Sequence, residues 1–432
     1  MRKEVNIGLI GLGKVGSGVV KLLRERKEIL REKLGFPLNL VKICDIDTRK
    51  KEEVEREGIL FTTQGEEILY APEIHIVIEL IGGIEPAKKY VMEAINQGKY
   101  VVTANKALLA ECGEEIFSLS KAKGKEIFFE ASVMSGVPLL RMIREGLVAN
   151  RIDYILGIIN GTTNYILTQM EEGLSYKKAL STAQRKGFAE PDPTLDVKGL
   201  DTAHKLIVLS YLVFGKSISM EDVLIEGIEG LTPQDLEYAK EFGYAVKLLA
   251  LGKVEGEELE VRVHPTLIPL PHPLSQVKGE TNALYLKGDA VGDIFVAGKG
   301  AGRLPTASAV VADVVEAAKR VVEGKEKVVW SPPASNLRIK RKEDIRTNYF
   351  LRFMAVDKPG VLAKISGILA QHHISIASVI QKGRGKKIAV PIIMMTHEAK
   401  EKDMQKAKEE IDKLSVIKEK TLLLRVENRI SP

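Results

Sequence analysis

"EVNIGLIGLGKVGSGVVKLLRERKEIL", Glu4 to Leu30, is the stretch on which the fold turns. It opens as an apolar run long enough for one buried strand, breaks at Gly11, Gly13 and Gly16, and continues with the spacing of an amphipathic helix. Glycines in G-x-G-x-x-G order between a strand and a helix have separate tasks. The first permits the tight turn, the second lets backbone approach a pyrophosphate, and the third lets helix and strand pack closely. Lys14 and Val15 open the helix, whose free N–H groups offer a place for phosphate. A purely structural glycine turn is the competing reading, and the strand-to-helix context favours a dinucleotide.

The same texture repeats downstream. "LNLVKICDID", "IHIVIELIGG" and "KYVVTANKALLAE" are apolar strands with helical patterns between them, the rhythm of βαβ units and a parallel sheet over residues 1–130. Ligands bind beyond the carboxyl ends of such strands, which singles out Asp45 or Asp47, Gly82 in "ELIGG", and Lys106 in "TANKALL". A carboxylate at Asp45 or Asp47 suits a ribose 2′-hydroxyl, whereas Arg49 and Lys50 suit a 2′-phosphate. The carboxylate comes first at the strand end, which tilts the reading toward NAD. "EIFFEASVMSGVPLL" reads as a further strand leaving the sheet.

Over residues 131–300 strand and helix signals mix. "ELEVRVHPTLIPLPHPL" and "NALYLKGDAVGDIFVAGKG" read as antiparallel strands of an α+β domain. "AGRLPTASAVVADVVEAAKRVVEG", which includes Gly302, is a loop and long helix over 301–325 returning to the first domain. Residues 326–347 are proline-bearing, charged and aperiodic, the signature of a linker, and "RIKRK" within them reads as a solvated stretch. Residues 348–427 form a compact unit of strands and two helices.

Composition excludes several classes. With 45% hydrophobic and 28% charged residues the chain is globular, and 432 residues call for two or three domains. Its net charge of +6 comes from interspersed charges, which speaks against a nucleic-acid track. Cys44 and Cys112 have no metal or redox spacing, so a reducing cytoplasm fits. No run reaches membrane-spanning length.

"GFAEPDPTLDVKGLDTAHK", Gly187 to Lys205, crowds Glu190, Asp192, Asp196 and Asp201 before a helix that carries Lys205. Asp201 and Lys205 are spaced i,i+4 on one helical face, and the apolar sequence that follows predicts burial. Buried charge is either paired or useful. One reading is a structural ion pair. The other is a site for a zwitterionic carbonyl substrate beside nicotinamide, where the lysine protonates a carbonyl oxygen and carboxylates hold an ammonium group.

In order along the chain, "GLGKVG", "ELIGG", "TANKALLA", "EASVMSGVP", "NGTTNYIL", "GFAEPDP", "GLDTAHK" and "GAGRLPTASAVVAD" resemble the homoserine dehydrogenases. The resemblance implies a Rossmann-like domain, an α+β catalytic and dimerisation domain, and reversible NAD(P)H-dependent reduction of L-aspartate 4-semialdehyde to L-homoserine. It implies Lys205 as proton donor, either directly or through a water oriented by Asp201, and Lys106 as a second active-site lysine near nicotinamide. Glu190, Asp196 and Asp201 match substrate-binding carboxylates. It further implies a sodium ion at Glu130, Val133, Ser135 and Val137, mostly through backbone oxygens, although Met134 and Ser135 depart from the family's smaller residues. Cys44 stands where many relatives carry an arginine that meets a 2′-phosphate, which again leans toward NAD.

"DKPGVLAKISGIL" and "HISIASVIQ" resemble an ACT domain of ferredoxin-like fold. Asp357, Pro359, Gly360, Val361 and Leu362 match its effector turn, a fit place for an amino-acid carboxylate. Such domains pair edge to edge, so a homodimer or homotetramer is expected, with feedback by an end product such as threonine or a purely structural tail as the alternatives. No kinase-like segment precedes the glycine turn, as expected of a monofunctional enzyme. Two rival functions remain: another ACT-bearing NAD(P)-dependent dehydrogenase of amino-acid metabolism, and a non-catalytic amino-acid or redox sensor.

Overall fold

The computed structural model describes residues 4–324, 330–381 and 389–428. Residues 326–329 of the expected linker and 382–388 of the expected C-terminal domain lie outside them. The chain divides into two units: residues 1–152, 204–220 and 296–335 form the first, and 153–203, 221–295 and 336–432 the second.

The first unit is built on six parallel strands: β1 (Val5–Ile10), β2 (Leu38–Cys44), β3 (Leu60–Thr62), β4 (Ile76–Glu79), β5 (Tyr100–Thr103) and β6 (Ile127–Phe128). Their order is β3-β2-β1-β4-β5-β6, with the strand order reversing between β1 and β4, the switch point where Rossmann-like sheets bind ligands. Central strands of such a sheet are covered on both faces, and β4 is buried along its whole length. "EIFFEASVMSGVPLL" contributes the short edge strand β6, paired to β5, and then turns away through Glu130–Ser132. The helix Arg303–Glu323 belongs to this unit and packs on the helix Lys14–Glu25. Gly18 makes that contact possible, since a Cβ there would stand 2.9 Å from the Arg303 carbonyl oxygen.

The second unit is built on a 12-stranded mixed sheet. Its strands are β7 (Ile152–Ile158), β8 (Leu224–Ile225), β9 (Tyr244–Glu255), β10 (Glu258–Pro269), β11 (Thr281–Gly288), β12 (Gly292–Lys299), β13 (Arg338–Ile339), β14 (Arg346–Val356), β15 (Ile376–Gln381), β16 (Ala389–Thr396), β17 (Ala399–Lys400) and β18 (Leu422–Val426). The main path runs β12-β11-β7-β9-β10-β18-β14-β16-β15, with β8 and β13 beside β10 and β17 beside β14. The last four positions of that path, β18-β14-β16-β15, with helices Val361–Gln371 and Glu401–Asp412, are the ferredoxin-like arrangement. This C-terminal domain does not hang on a free tether. Its last strand β18 pairs in parallel with β10, Thr266 against Arg425 and Leu267 against Val426, so one sheet runs through both parts. "RIKRK" is likewise not merely solvated: Arg338 and Ile339 pair with β10, and Lys340 reaches Glu255 at 2.8 Å and Glu260 at 3.4 Å.

Strand β10 explains that junction. Its odd positions Leu259, Val261, Val263 and Leu267 are apolar and its even positions Glu260, Arg262, His264 and Thr266 are polar, yet all are buried. Period-2 alternation alone predicts a wet face. Here the polar face is closed by partners of its own: Arg262 bonds Glu260 at 2.8 Å and Glu427 at 3.1 Å, and Thr266 Oγ1 lies 2.9 Å from His264 Nδ1. Burial, aided by the charges of Arg425 and Arg262, drives the His264 pKa well below its usual 6.5. The folded state therefore holds neutral His264 where the unfolded chain takes a proton. His264 contributes stability above about pH 6.5 that is lost as the pH falls. Urea unfolding across a pH series should show stability falling on acidification by up to ~1.4 kcal/mol per pH unit from this residue. The non-titrating His264→Gln variant should flatten that fall, and an unaltered pH dependence would contradict the assignment.

Candidate functional site

In the first unit the glycine turn has the shape its spacing requires. Gly11 has φ +101°, and a Cβ there would stand 2.8 Å from the Leu80 backbone. A Cβ on Gly16 would come within 2.0 Å of the Gly11 carbonyl oxygen. Gly13 and Lys14 are exposed, and nothing stands where a Cβ of Gly13 would be, so the turn is open to a pyrophosphate. The residues fit a dinucleotide.

Asp45, at the end of β2, also braces the glycine turn. One carboxylate oxygen accepts the N–H of Leu12 in the glycine turn, and the other accepts the N–H of Asp47 at 2.8 Å. Asp47 is fastened to Arg49, which holds its carboxyl at about 2. Lys50 Nζ stands 3.5 Å from the Leu12 carbonyl oxygen. Both acids at the end of β2 thus shape the turn itself.

Two further loops leave β4 and β5, and Glu79 joins them. Fully buried, it accepts the Thr103 hydroxyl at 2.6 Å and the N–H groups of Ile81 at 2.9 Å and Gly82 at 3.4 Å. Burial raises its pKa, and these donors hold it back. Asn105 continues the clasp, donating to Gly83 O at 2.7 Å and capping the helix Lys106–Lys123 through Leu108 N at 3.1 Å. Lys106 is the first residue of that helix and is set by this pair of loops.

At the turn after β6, the Glu130 carboxylate accepts the N–H groups of Leu140 and Arg141, each at 2.8 Å. The Glu130 N–H is held at 2.8 Å by Asp313, whose carboxyl is pushed up to about 8 by burial and by the charge of Glu130. Ser135 Oγ donates to Gly300 O at 3.1 Å, Val137 N–H donates to Met134 O at 2.7 Å, and Met134 takes a left-handed φ of 49°. Side-chain oxygens here are committed, and among the described residues no group of three or more His, Cys, Asp or Glu side chains is set to hold a metal. A cation at Glu130, Val133, Ser135 and Val137 would rest on main-chain oxygens, which suit a hard ion.

In the second unit, Asn160 caps the helix Gly161–Glu171 through Thr163 N at 2.9 Å. Its amide nitrogen donates to Asp196 at 2.7 Å and to Asp201 at 2.8 Å. Two of the predicted carboxylates are thereby drawn to one group. Glu190 is exposed, on the loop whose Phe188 carbonyl accepts the Thr162 hydroxyl at 2.7 Å. The helix Leu200–Phe214 carries both Asp201 and Lys205, one turn apart, and both are buried. Its residues through Ala203 belong to the second unit and those from His204 to the first.

The C-terminal domain's turn follows β14 directly. Gly360 precedes the helix Val361–Gln371 with φ +86°, Asp357 is bonded by Gln381 at 3.1 Å, Val361 is buried and Leu362 exposed. Pro359 and Gly360 leave open space at the turn, as nothing stands where a Gly360 Cβ would be.

Glu79, Asn105 and Asn160 were not singled out by the sequence reading. Each left one signal: an acid inside "IVIELIGG", and an asparagine one residue before a helix in "TANK" and "INGTT".

Three family descriptions match: "Homoserine dehydrogenase, NAD binding domain" over residues 11–130, "Homoserine dehydrogenase" over 138–315 and "ACT domain" over 349–416. The homoserine dehydrogenase of Bacillus subtilis is 39% identical over 427 residues, covering 98% of this chain and 99% of its own. A crystal structure of a homoserine dehydrogenase from Thiobacillus denitrificans aligns with a TM-score of 0.89 at 42% identity, over 98% of each chain. A hyperthermophilic archaeal homoserine dehydrogenase in complex with NADPH aligns at 0.63 with 28% identity, over 73% of this chain and 98% of that one. With the open glycine turn and the Asn160 clasp in place, these likenesses make the chain a member of the homoserine dehydrogenase family, NAD(P)-dependent oxidoreductases acting on a CH–OH group.

Proposed function

We propose that this chain interconverts L-aspartate 4-semialdehyde and L-homoserine with the machinery assigned below, on the route to threonine and methionine. The observation that carries the assignment is the Asn160 amide holding Asp196 and Asp201 together one turn before buried Lys205. Two carboxylates gathered on one amide offer acceptors of the kind that bind an ammonium group. Glu190 supplies a third acid to the same amino-acid head. A hydroxy acid lacking an amine would meet only repulsion there, which disfavours a hydroxy-acid dehydrogenase.

Gly11, Gly13, Lys14, Val15, Gly16, Asp45, Gly82, Lys106 and Gly302 would hold the nicotinamide cofactor, whose chemistry when bound would be hydride transfer to or from the substrate's terminal carbon. Lys205 gives its proton to the aldehyde oxygen in reduction and takes it back in oxidation, directly or through a water oriented by Asp201. Lys106, fixed by the clasp of Glu79 and Asn105, adds positive charge near that oxygen. Glu130, Val133, Ser135 and Val137 would hold a sodium ion, mostly through main-chain oxygens, and the ion would stiffen the turn. Residues 1–130 with 301–325 serve the cofactor, 131–300 substrate and dimer, 326–347 the link and 348–427 regulation, in a cytoplasmic homodimer or homotetramer. No helix among the described residues is long and apolar enough to cross a membrane.

Homoserine-dependent reduction of NAD(P)⁺ tests the central role. Lys205→Ala should bind cofactor with unchanged affinity and lose turnover by a factor on the order of 10² or more. A fully active variant rules out Lys205 as the proton donor, and a wild type silent on homoserine but active on a hydroxy acid favours the rival dehydrogenase. For the cation, activity in sodium chloride should exceed that in choline chloride at equal ionic strength; equal rates count against a bound ion. Threonine, methionine and lysine should be titrated into the full chain while activity and thermal midpoint are followed. An end product acting at Asp357, Pro359, Gly360, Val361 and Leu362 should change both, and no response to any of the three leaves a structural tail.

A further inference from the structure

Arg425 lies on β18 in the C-terminal domain and is fully buried. Its guanidinium makes two fork-to-fork pairings. Nη1 and Nη2 bond the Glu226 carboxylate at 2.9 and 2.8 Å, while Nε and Nη2 bond Glu401 at 2.8 and 2.5 Å. Tyr349 donates to the same Glu401 at 2.9 Å. Glu401 and Tyr349 belong to the C-terminal domain, but Glu226 does not. It follows β8, and its own N–H donates to Val263 O on β10 at 2.8 Å.

The segment that carries Glu226 is pressed against the one between the two clasped acids. Ile228 N–H donates to Val197 O at 2.9 Å. A Cβ on Gly227 would stand 2.2 Å from that same Val197 oxygen. Gly199, at φ +80°, has Val263 at 3.1 Å and Glu226 O at 3.4 Å from the position of a Cβ. Gly199 N–H in turn donates to Asp196 O at 3.0 Å. A methyl group on Gly227 would collide with the Val197 carbonyl, and one on Gly199 would press on Val263. A shift of Glu226 must therefore move Val197–Gly199, and with it Asp196 on one side and Asp201 on the other.

We propose that Arg425 and Glu226 are positioning residues for the substrate site. The C-terminal domain grips, through one guanidinium, the segment that sets Asp196 and Asp201 against Asn160. The inference rests on the reading of Asp196 and Asp201 as substrate carboxylates. It adds that their placement depends on a strand lying more than two hundred residues further along the chain. Breaking the grip leaves the cofactor's glycine turn untouched and loosens the amino-acid pocket, so the effect belongs in the KM for homoserine and not in that for cofactor.

Steady-state kinetics on the full-length protein with Glu226→Ala, Glu226→Gln and Glu226→Asp tests this, with thermal midpoints measured alongside. Glu226 is partly exposed, so these variants fold more readily than any change at Arg425. Glu226→Ala should raise the KM for homoserine on the order of tenfold, the scale set by sub-ångström misplacement, with the KM for NAD(P)⁺ within about twofold. Glu226→Gln should follow it, and Glu226→Asp, which keeps the charge, should recover part of the loss. A lowered thermal midpoint with an unchanged homoserine KM, or an equal rise in both KM values, overturns the proposal in favour of a merely structural ion pair. Asp196→Asn separates the two layers. If it raises the homoserine KM while Glu226→Ala does not, the positioning role alone fails. If Asp196→Asn leaves that KM unchanged, the reading of the acids fails first and the inference goes with it.

Discussion

Asn160 holds two carboxylates with one amide, and the amino-acid pocket depends on that arrangement. Asp196 and Asp201 approach the same nitrogen at 2.7 and 2.8 Å, close enough for their charges to repel across the site. At an effective dielectric of about 20, like charges some 4 Å apart cost about 4 kcal/mol. The Asn160 amide relieves part of that. A cation beside the acids would relieve more, which is what the proposed binding of an ammonium group requires. The Asn160 side-chain oxygen, meanwhile, caps the helix Gly161–Glu171, which ties the donor's orientation to secondary structure. Preorganisation here is the consequence of a helix start with an asparagine in front of it.

The same device recurs in the first unit with the charges reversed in role. Asp45, Glu79 and Glu130 each turn a carboxylate inward onto main-chain N–H groups of loops that leave the sheet. Loop N–H groups lack ladder partners, and a buried one left alone is costly. An ionised acceptor satisfies two or more at once and fixes their relative direction. The loops that face the cofactor crevice are therefore stiff for a reason opposite to hydrophobic packing. They are held by charges that would be unaffordable without those very loops.

Much of this was legible in the amino-acid order. The glycine turn, the parallel strands and the ferredoxin-like tail all have local signals, because periodicity and turn chemistry act over a few residues. The acids of "EPDPTLDVKGLD" and Lys205 could be named for the same reason: charge crowded before an apolar helix has few innocent explanations. What escaped were partners far apart in sequence. Nothing local to Asp45 said that its carboxylate would also accept the N–H of Leu12 in the glycine turn. The even face of β10 looked wet because alternation reports polarity, not what closes over it. Partners from much later in the chain, Lys340 for Glu260 and Glu427 for Arg262, help to close it.

The pairing of β18 with β10 changes how regulation through the C-terminal domain can be understood. The turn over residues 357–360, where an effector would bind, sits at the end of β14, β14 pairs with β18, and β18 carries Arg425 to Glu226. A continuous ladder of hydrogen bonds transmits position well but does not itself have two states. An effector alters an equilibrium only by binding one state better than another, so regulation along this path would require a bistable element on it. The guanidinium is the natural candidate, since it divides its donors between Glu401 inside the domain and Glu226 outside it. Burial opposes the charge of Arg425 and the two carboxylates more than offset it, so the pair cannot both be released. Glu401 is buried with Tyr349 as a second donor, whereas the Glu226 side chain is 37% exposed and can be solvated when let go. Release toward Glu226 is therefore the cheaper motion, and it is the one that reaches the substrate carboxylates.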